Sequence, residues 1–215
     1  MAVKYAERRE TLANMIEPRR EESHRGYDKI YERSELGGAH HVVRLLGRRL
    51  DKNAKVLEIG AGACVSSIYL AKTTGCRVLA LEMSDKAIEI ARRNLKSAGL
   101  TERDVAIIPA DFIKSRINGQ FDSITVNNVL HEFDENTISK IVDRLCDLTK
   151  PGGYNAITYW IRYREIGIEN FQKIEKLYIE KNWKILDRGS QETKSLFSTD
   201  AARYKYFLAQ KPTES

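Results

Sequence analysis

Five short stretches hold the side chains whose types and spacing can do chemistry. VLEIGAGAC, Val56 to Cys64, sets the carboxylate of Glu58 just ahead of Gly60 and Gly62. Glu82 and Met83 follow, with Glu82 twenty residues after Gly62. Then come Asp111-Phe112, Asn127-Asn128, and the segment VLHEF that contains His131. Glycines between a strand and a helix let a ligand approach the backbone, where any side chain would hold it away. A carboxylate at the end of the second strand accepts hydrogen bonds from both ribose hydroxyls and repels a 2′-phosphate. Asp111 suits the amino group of an adenine, with Met83 and Phe112 sandwiching the ring. His131 and His40 are the candidates for accepting a proton near neutrality.

Each of these residues also has a plainer reading. Glu82 could be a solvated loop acid, Asp111 a helix N-cap, and His131 a packing residue at the start of a helix. His40 falls at the border of an apolar stripe, while His41 points to solvent. Tyr27 and Tyr31 could line a pocket or simply pack.

The elements needed to position these residues follow from the hydropathy pattern. KVLEI, CRVLAL, DVAIIP, FDSITVN and YNAITYW read as strands separated by amphipathic helices. The first helix begins at about Cys64 and runs through Ser67, Ile68, Ala71 and Lys72. Ser84 is an N-cap ahead of Ala87, Ile88, Ala91 and Leu95, with Gly99 as the stop. Asp134 caps a helix carrying Ile138, Ile141, Val142, Leu145 and Leu148, which ends before Pro151-Gly152-Gly153. Such alternation predicts an α/β fold, a doubly wound parallel sheet with helices on both faces. Beyond a helix near Ile168 to Lys181, WKILDRG and ARYKYFLAQK predict an edge hairpin joined by a polar loop, Ser190 to Ala201.

Leu36 to Leu50 reads as a helix with a buried stripe of Leu36, Ala39, Val43, Leu46 and Leu50. Residues 1–35 read as helical, with apolar positions at Tyr5, Leu12, Met15 and Ile16 and a break at Pro18. They form a cover or a lid ahead of a single domain over residues 36–215.

The 215 residues carry a net charge of +6. Arginine doublets at 8–9, 19–20, 48–49 and 92–93 keep a nucleic-acid partner possible but not favoured, because acidic residues are interspersed. Cys64, Cys76 and Cys146 are too few and scattered for a disulfide framework or metal site and read as buried thiols. The first residues lack the apolar core of a signal peptide, and no apolar run spans a membrane, so the expected compartment is the cytoplasm.

In order and spacing, EIGAGAC, LEMS, PADF, FDSITVNNVLHEF and LTKPGGY resemble the class I S-adenosylmethionine-dependent methyltransferases over roughly Leu36 to Gln210. The resemblance implies a seven-stranded, mostly parallel Rossmann-like sheet with an antiparallel last strand. It implies S-adenosylmethionine as cofactor, with Glu58, Gly60 and Gly62 around the methionine part. Glu82 would hold the ribose, Asp111 and Phe112 the adenine, and Asn128 would lie near the methionyl end. A nicotinamide dehydrogenase is disfavoured, since the third glycine of its fingerprint falls at Val65 and Glu58 precedes the turn.

In-line methyl transfer needs little beyond orientation of the acceptor, plus removal of a proton from oxygen or ammonium acceptors. The chain lacks the Asn/Asp-Pro-Pro-aromatic run of adenine amino methylation and has Asn127-Asn128-Val129-Leu130 instead. No cysteine is placed as a nucleophile for pyrimidine C5 methylation. A small-molecule acceptor is the first expectation, a protein or RNA acceptor the second, and a non-catalytic cofactor-binding partner or sensor the third. A homodimer with exchanged N-termini is possible.

Overall fold

The computed structural model describes residues 16–17, 41–161, 164–194 and 201–213. His40, Tyr27, Tyr31 and nearly all of the expected N-terminal cover lie outside the described residues. Two compact units make up the chain, residues 1–39 with 50–119 and residues 40–49 with 120–215.

The first unit holds β1 (Ile16–Glu17), β2 (Lys55–Ile59), β3 (Arg77–Glu82), β4 (Val105–Pro109) and β5 (Arg116–Ile117). It also holds helices α2 (Val65–Thr74) and α3 (Asp85–Ser97), which pack on β3 and β4. The second unit holds α1 (His41–Gly47), β6 (Phe121–Asn127), α4 (Glu135–Leu148), β7 (Thr149–Trp160), α5 (Arg164–Glu180), β8 (Lys184–Lys194) and β9 (Ala201–Gln210). Seven strands form one sheet in the order β4-β3-β2-β6-β7-β9-β8. The pairs β2–β3, β3–β4 and β6–β7 are parallel. β9 runs antiparallel to both β7 and β8, as the edge-hairpin reading requires. The fold is thus the expected α/β sheet with its last strand reversed.

In the first unit, Val56, Leu57, Val78, Leu79 and Ala80 are fully buried and make the strands a continuous apolar layer. Such strands are covered on both faces, which is why they read as runs rather than alternations. Ser84 accepts from the Ala87 N–H and starts α3, and Asp134 accepts from the Thr137 N–H and starts α4. In the second unit Tyr178, Phe207 and Trp183 form an aromatic core, with Tyr178 5.2 Å from Phe207 and 5.1 Å from Trp183.

Four expectations need correction. Ile16 and Glu17 are strand, paired antiparallel with Ile117 and Arg116, and not helix. Pro18 disfavours helical backbone in the residue before it, which suits an extended Glu17. Within the described residues, α1 covers His41–Gly47 and stops short of Leu50. There Arg49 donates from its backbone N–H to the Leu46 carbonyl and from its guanidinium to the Leu45 carbonyl. Pro151-Gly152-Gly153 belong to β7, with Gly152 at φ +74°. The loop expected from Ser190 onward is strand as far as Lys194, and its partner strand begins at Ala201.

A strap fastens this part of β7. The Gly152 N–H donates to the Pro212 carbonyl and the Lys211 N–H to the Gly153 carbonyl. The Lys211 ammonium donates to the Cys146 and Thr149 carbonyls at 2.7 and 2.8 Å, neutralising the carboxyl end of α4.

Candidate functional site

The turn between β2 and α2 has an unusual backbone. Gly60, Gly62 and Cys64 have φ of 63°, 53° and 58°, so every second residue is left-handed. Glycine takes that conformation freely, whereas a side chain costs about 1–2 kcal/mol. Cys64 bears this cost with its side chain fully buried. Backbone bonds brace the bend, from Ala61 N–H to the Leu81 carbonyl and from Cys64 N–H to the Ala61 carbonyl.

Cys64 offers no side-chain cap to α2. Glu58 supplies one from the strand. Its Oε2 accepts from the Ser67 backbone N–H at 3.0 Å and from the Ser67 hydroxyl. A carboxylate 2 % exposed is thereby held by donors at a helix N-terminus, where negative charge is favoured. The sequence placed Ser67 on this helix without a role; its place three residues past the cap was the available signal for the contact with Glu58.

Glu82 closes the bend from the other side. Its Oε2 accepts from the Gly62 N–H at 2.7 Å, and its Oε1 accepts from the Met83 and Ser84 N–H groups at 2.8 and 2.9 Å. Glu82 is buried rather than a solvated loop acid. A carboxylate has about four acceptor positions, and three backbone donors engage Glu82 among the described residues. The thiol of Cys64 sits in the field of both acids. Burial first, then Glu58 and Glu82, push it well above its ordinary value, so it is a neutral packing group.

Asp111 is half-buried, and its Oδ1 accepts from the Ile113 N–H at 2.7 Å while its carbonyl accepts from Ser115. Asp111 thus braces a turn over residues 112–114, and no helix begins there for it to cap. Phe112 beside it is buried, and Met83 is half-buried. Glu58, Gly60, Gly62, Glu82, Met83, Asp111 and Phe112 all belong to the first unit.

The second unit carries Asn128 and His131. Asn128, at φ 56°, donates its N–H to the Thr158 carbonyl and accepts from the Thr158 hydroxyl at 3.2 Å. That ties the ends of β6 and β7 together. His131 stands on a single 3-10 turn, Leu130–Glu132, with its side chain 6 % exposed. Its Nε2 lies 2.7 Å from Glu132 Oε1, and Tyr159 and Trp160 meet the ring edge-on. Glu132, Tyr159 and Trp160 were not identified in the sequence; only the structure places them on His131. His41 is exposed as expected and lies 5.3 Å from the Tyr206 ring.

Among the described residues no group of His, Cys, Asp and Glu could hold a metal ion, and no helix is long and apolar enough to cross a membrane. A cavity of about 450 Å³ lies against Ile179, Trp183, Ile185, Leu186, Asp187 and Arg188, none of them a candidate site residue.

Residues 56–153 match the family described as methyltransferase domain. Methyltransferase GfsG of Streptomyces halstedii is 28 % identical over 144 residues, 66 % of this chain and 45 % of that protein. The ribosomal protein L11 methyltransferase of Thermotoga maritima is 28 % identical over 131 residues, 53 % of this chain and 48 % of that protein. The chain therefore spans about half the length of these curated relatives. Among solved structures, the N-methyltransferase NodS of Bradyrhizobium japonicum WM9, in complex with S-adenosyl-L-homocysteine, superposes with a TM-score of 0.64. It is 17 % identical, with 80 % of this chain and 84 % of that one covered.

Proposed function

We propose that the chain is a class I S-adenosylmethionine-dependent methyltransferase, as the match of residues 56–153 to a methyltransferase domain supports, and that it transfers a methyl group from S-adenosylmethionine to a small-molecule acceptor. The observation that supports this most is the left-handed glycine turn held between two buried carboxylates, Glu58 and Glu82. The donor set fits the cofactor. Glu82 has acceptor capacity beyond its three backbone donors, enough for a ribose hydroxyl. Gly60 and Gly62 keep side chains away from the methionine part, and Asp111, Phe112 and Met83 take the adenine. When bound, S-adenosylmethionine supplies an electrophilic methyl carbon on a sulfonium. The protein contributes binding, orientation and water exclusion, together with a proton acceptor for a hydroxyl or amino nucleophile. His131 fills that last role.

Small size of the acceptor is supported by the short connection after β7. Only positions 161–163 separate Trp160 from Arg164, leaving no room there for an inserted recognition element. A protein or RNA acceptor is the second reading, favoured by the net charge of +6 and by a relative named for ribosomal protein L11.

Ligand-induced stabilisation tests the proposal. S-adenosylhomocysteine at about 100 times its dissociation constant should add roughly 2.7 kcal/mol to unfolding stability. A shift with NAD alone overturns the reading. Transfer of label from radiolabelled S-adenosylmethionine into a fractionated cell extract then identifies the acceptor class. Binding without transfer to any fraction would favour a sensor or partner subunit.

A further inference from the structure

We propose that β8 is a docking edge for a second copy of this chain, whose own β8 adds to it antiparallel about a two-fold axis at Ser190. β8 is the last strand of the seven-stranded sheet, with β9 on one side and no strand on the other among the described residues. Alternate residues of such an edge turn their backbone N–H and C=O outward, a template for another strand. A bulge between Ile185 and Asp187 interrupts the register, and from Asp187 to Lys194 the pairing with β9 is regular. That stretch holds no proline to block an added strand. Beside its start lies the cavity of about 450 Å³ against Trp183, Ile185, Leu186 and Ile179. Ile179 is 50 % exposed, one of two large apolar side chains left open among the described residues. A regular edge, an open groove and an uncovered isoleucine thus meet at one place.

The order of charges selects both the occupant and the register. Side chains alternate across a sheet, so Arg188, Ser190 and Glu192 share one face. On that face Arg188 donates to Glu175 Oε1 at 3.0 Å, and Arg203 Nε lies 2.7 Å from Glu192 Oε1. Arg188 and Glu192 are nevertheless 66 % and 59 % exposed, so both can meet a further charge. A two-fold at Ser190 sets Arg188 opposite the partner's Glu192, and Glu192 opposite the partner's Arg188. Glu175, Arg188, the partner's Glu192 and the partner's Arg203 then alternate in sign across the seam, and symmetry repeats the row. A guanidinium has donors beyond the one that Glu175 takes, and Glu192 has a second oxygen to receive them. Neighbouring centres lack this match. An axis at Arg188 or Glu192 opposes a charge to itself, one at Gln191 sets Arg188 against Lys194, and one at Gly189 gives Arg188 only Ser190. With the axis at Ser190, the partner's Lys194 comes opposite Leu186, so the end of the added strand enters the groove. Each β8 uses up the other's edge, and the assembly closes at two.

Sedimentation of the full chain at micromolar concentrations tests the pairing. Wild type should sediment at twice the chain mass of 24.6 kDa and dissociate on dilution. R188E and E192R each set two like-charge pairs across the seam, and each should weaken association by about tenfold or more. Mixed one to one, the two variants should recover the dimer, because the mixed pair opposes unlike charges at both positions. Mixing does not mend the contacts each variant loses to its own Glu175 or Arg203, so recovery reads the contact between chains alone. A wild-type chain that stays monomeric overturns the proposal and leaves the edge to a different chain. So does association within about twofold of wild type in R188E or E192R, or a mixture no more dimeric than its parts. None of these outcomes bears on methyl transfer, which is tested by cofactor binding and label incorporation.

Discussion

The Oε2 of Glu82 accepts from the Gly62 backbone N–H at 2.7 Å across twenty residues of sequence. The acid at the tip of β3 is thus part of the glycine turn's own framework. In E82Q the carboxamide keeps one acceptor for Met83 and Ser84 but sets an NH2 group against the Gly62 N–H. A buried donor without an acceptor costs about 1–3 kcal/mol. E82Q should lower unfolding stability by that amount, and E82A by more, as read from denaturant midpoints. Both should weaken S-adenosylhomocysteine binding by about tenfold or more in calorimetry. An E82Q midpoint equal to wild type would mean that the turn does not depend on this bond.

Glu58 serves α2 as a cap delivered from the neighbouring strand. Losing a cap costs about 0.5–2 kcal/mol. S67A removes the hydroxyl and keeps the backbone donor, while E58A strips both partners of their acceptor. Stability should therefore fall in the order S67A, then E58A. Amide exchange at Ser67 should accelerate in E58A and change little in S67A. The reverse order would show that the hydroxyl carries the interaction.

All three thiols are buried, and burial is the leading cause that raises each. Cys146 is pushed up to about 12, although Lys181 and Lys211 pull against that rise. Its thiolate fraction at pH 8 is on the order of 10⁻⁴, so it should resist a disulfide reagent until the protein unfolds. Native protein should show no fast-reacting thiol among the three, and denatured protein should show all three. A raised folded-state value also means that the native state binds more protons. This contribution to stability is intact below about pH 9 and is lost as the pH climbs towards 12. A stability profile flat across that interval would contradict the burial of these groups.

Two glycines should respond differently to alanine. A Cβ on Gly153 would meet the Asp122 carbonyl at 2.8 Å, the Lys150 carbonyl at 2.9 Å and Thr149 Cγ2 at 2.9 Å. Backbone atoms cannot rotate aside, so G153A should cost about 1–3 kcal/mol or more. Gly99 has φ +71° and nothing within 4 Å of its Cβ position. G99A carries only the backbone penalty, about 1–2 kcal/mol. Thermal midpoints should place G153A below G99A.

Local chemistry decided which features could be read from the sequence. KVLEI and FDSITVN coincide with β2 and β6 because short segments rich in β-branched and apolar residues read as strands, even where β6 buries Ser123 and Thr125. Ser84 and Asp134 were legible as caps because the oxygen and the N–H it binds are three residues apart. The β1–β5 bridge pairs two residues with two others about a hundred positions away, and no local pattern marks it. The hairpin was read short because its outer rungs pair polar residues, Gln191 with Tyr204 and Glu192 with Arg203, and polarity reads as loop. The acids at strand tips could be placed from sequence. Their partners could not, since Glu58 finds Ser67 and Glu82 finds Gly62 only after the strand has turned into a helix. His40 falls outside the described residues.

The strap around Gly152 and Lys211 bears on how the chain can be handled at the bench. A version ending at Gln210 would lose the ammonium that seals the last carbonyls of α4 and the two main-chain clasps on β7. Its final helical turn should fray first, exposing Cys146 to reagents that the intact protein shuts out. Affinity tags and fusion partners therefore belong beyond Thr213, behind a spacer that leaves the clasp free to fasten.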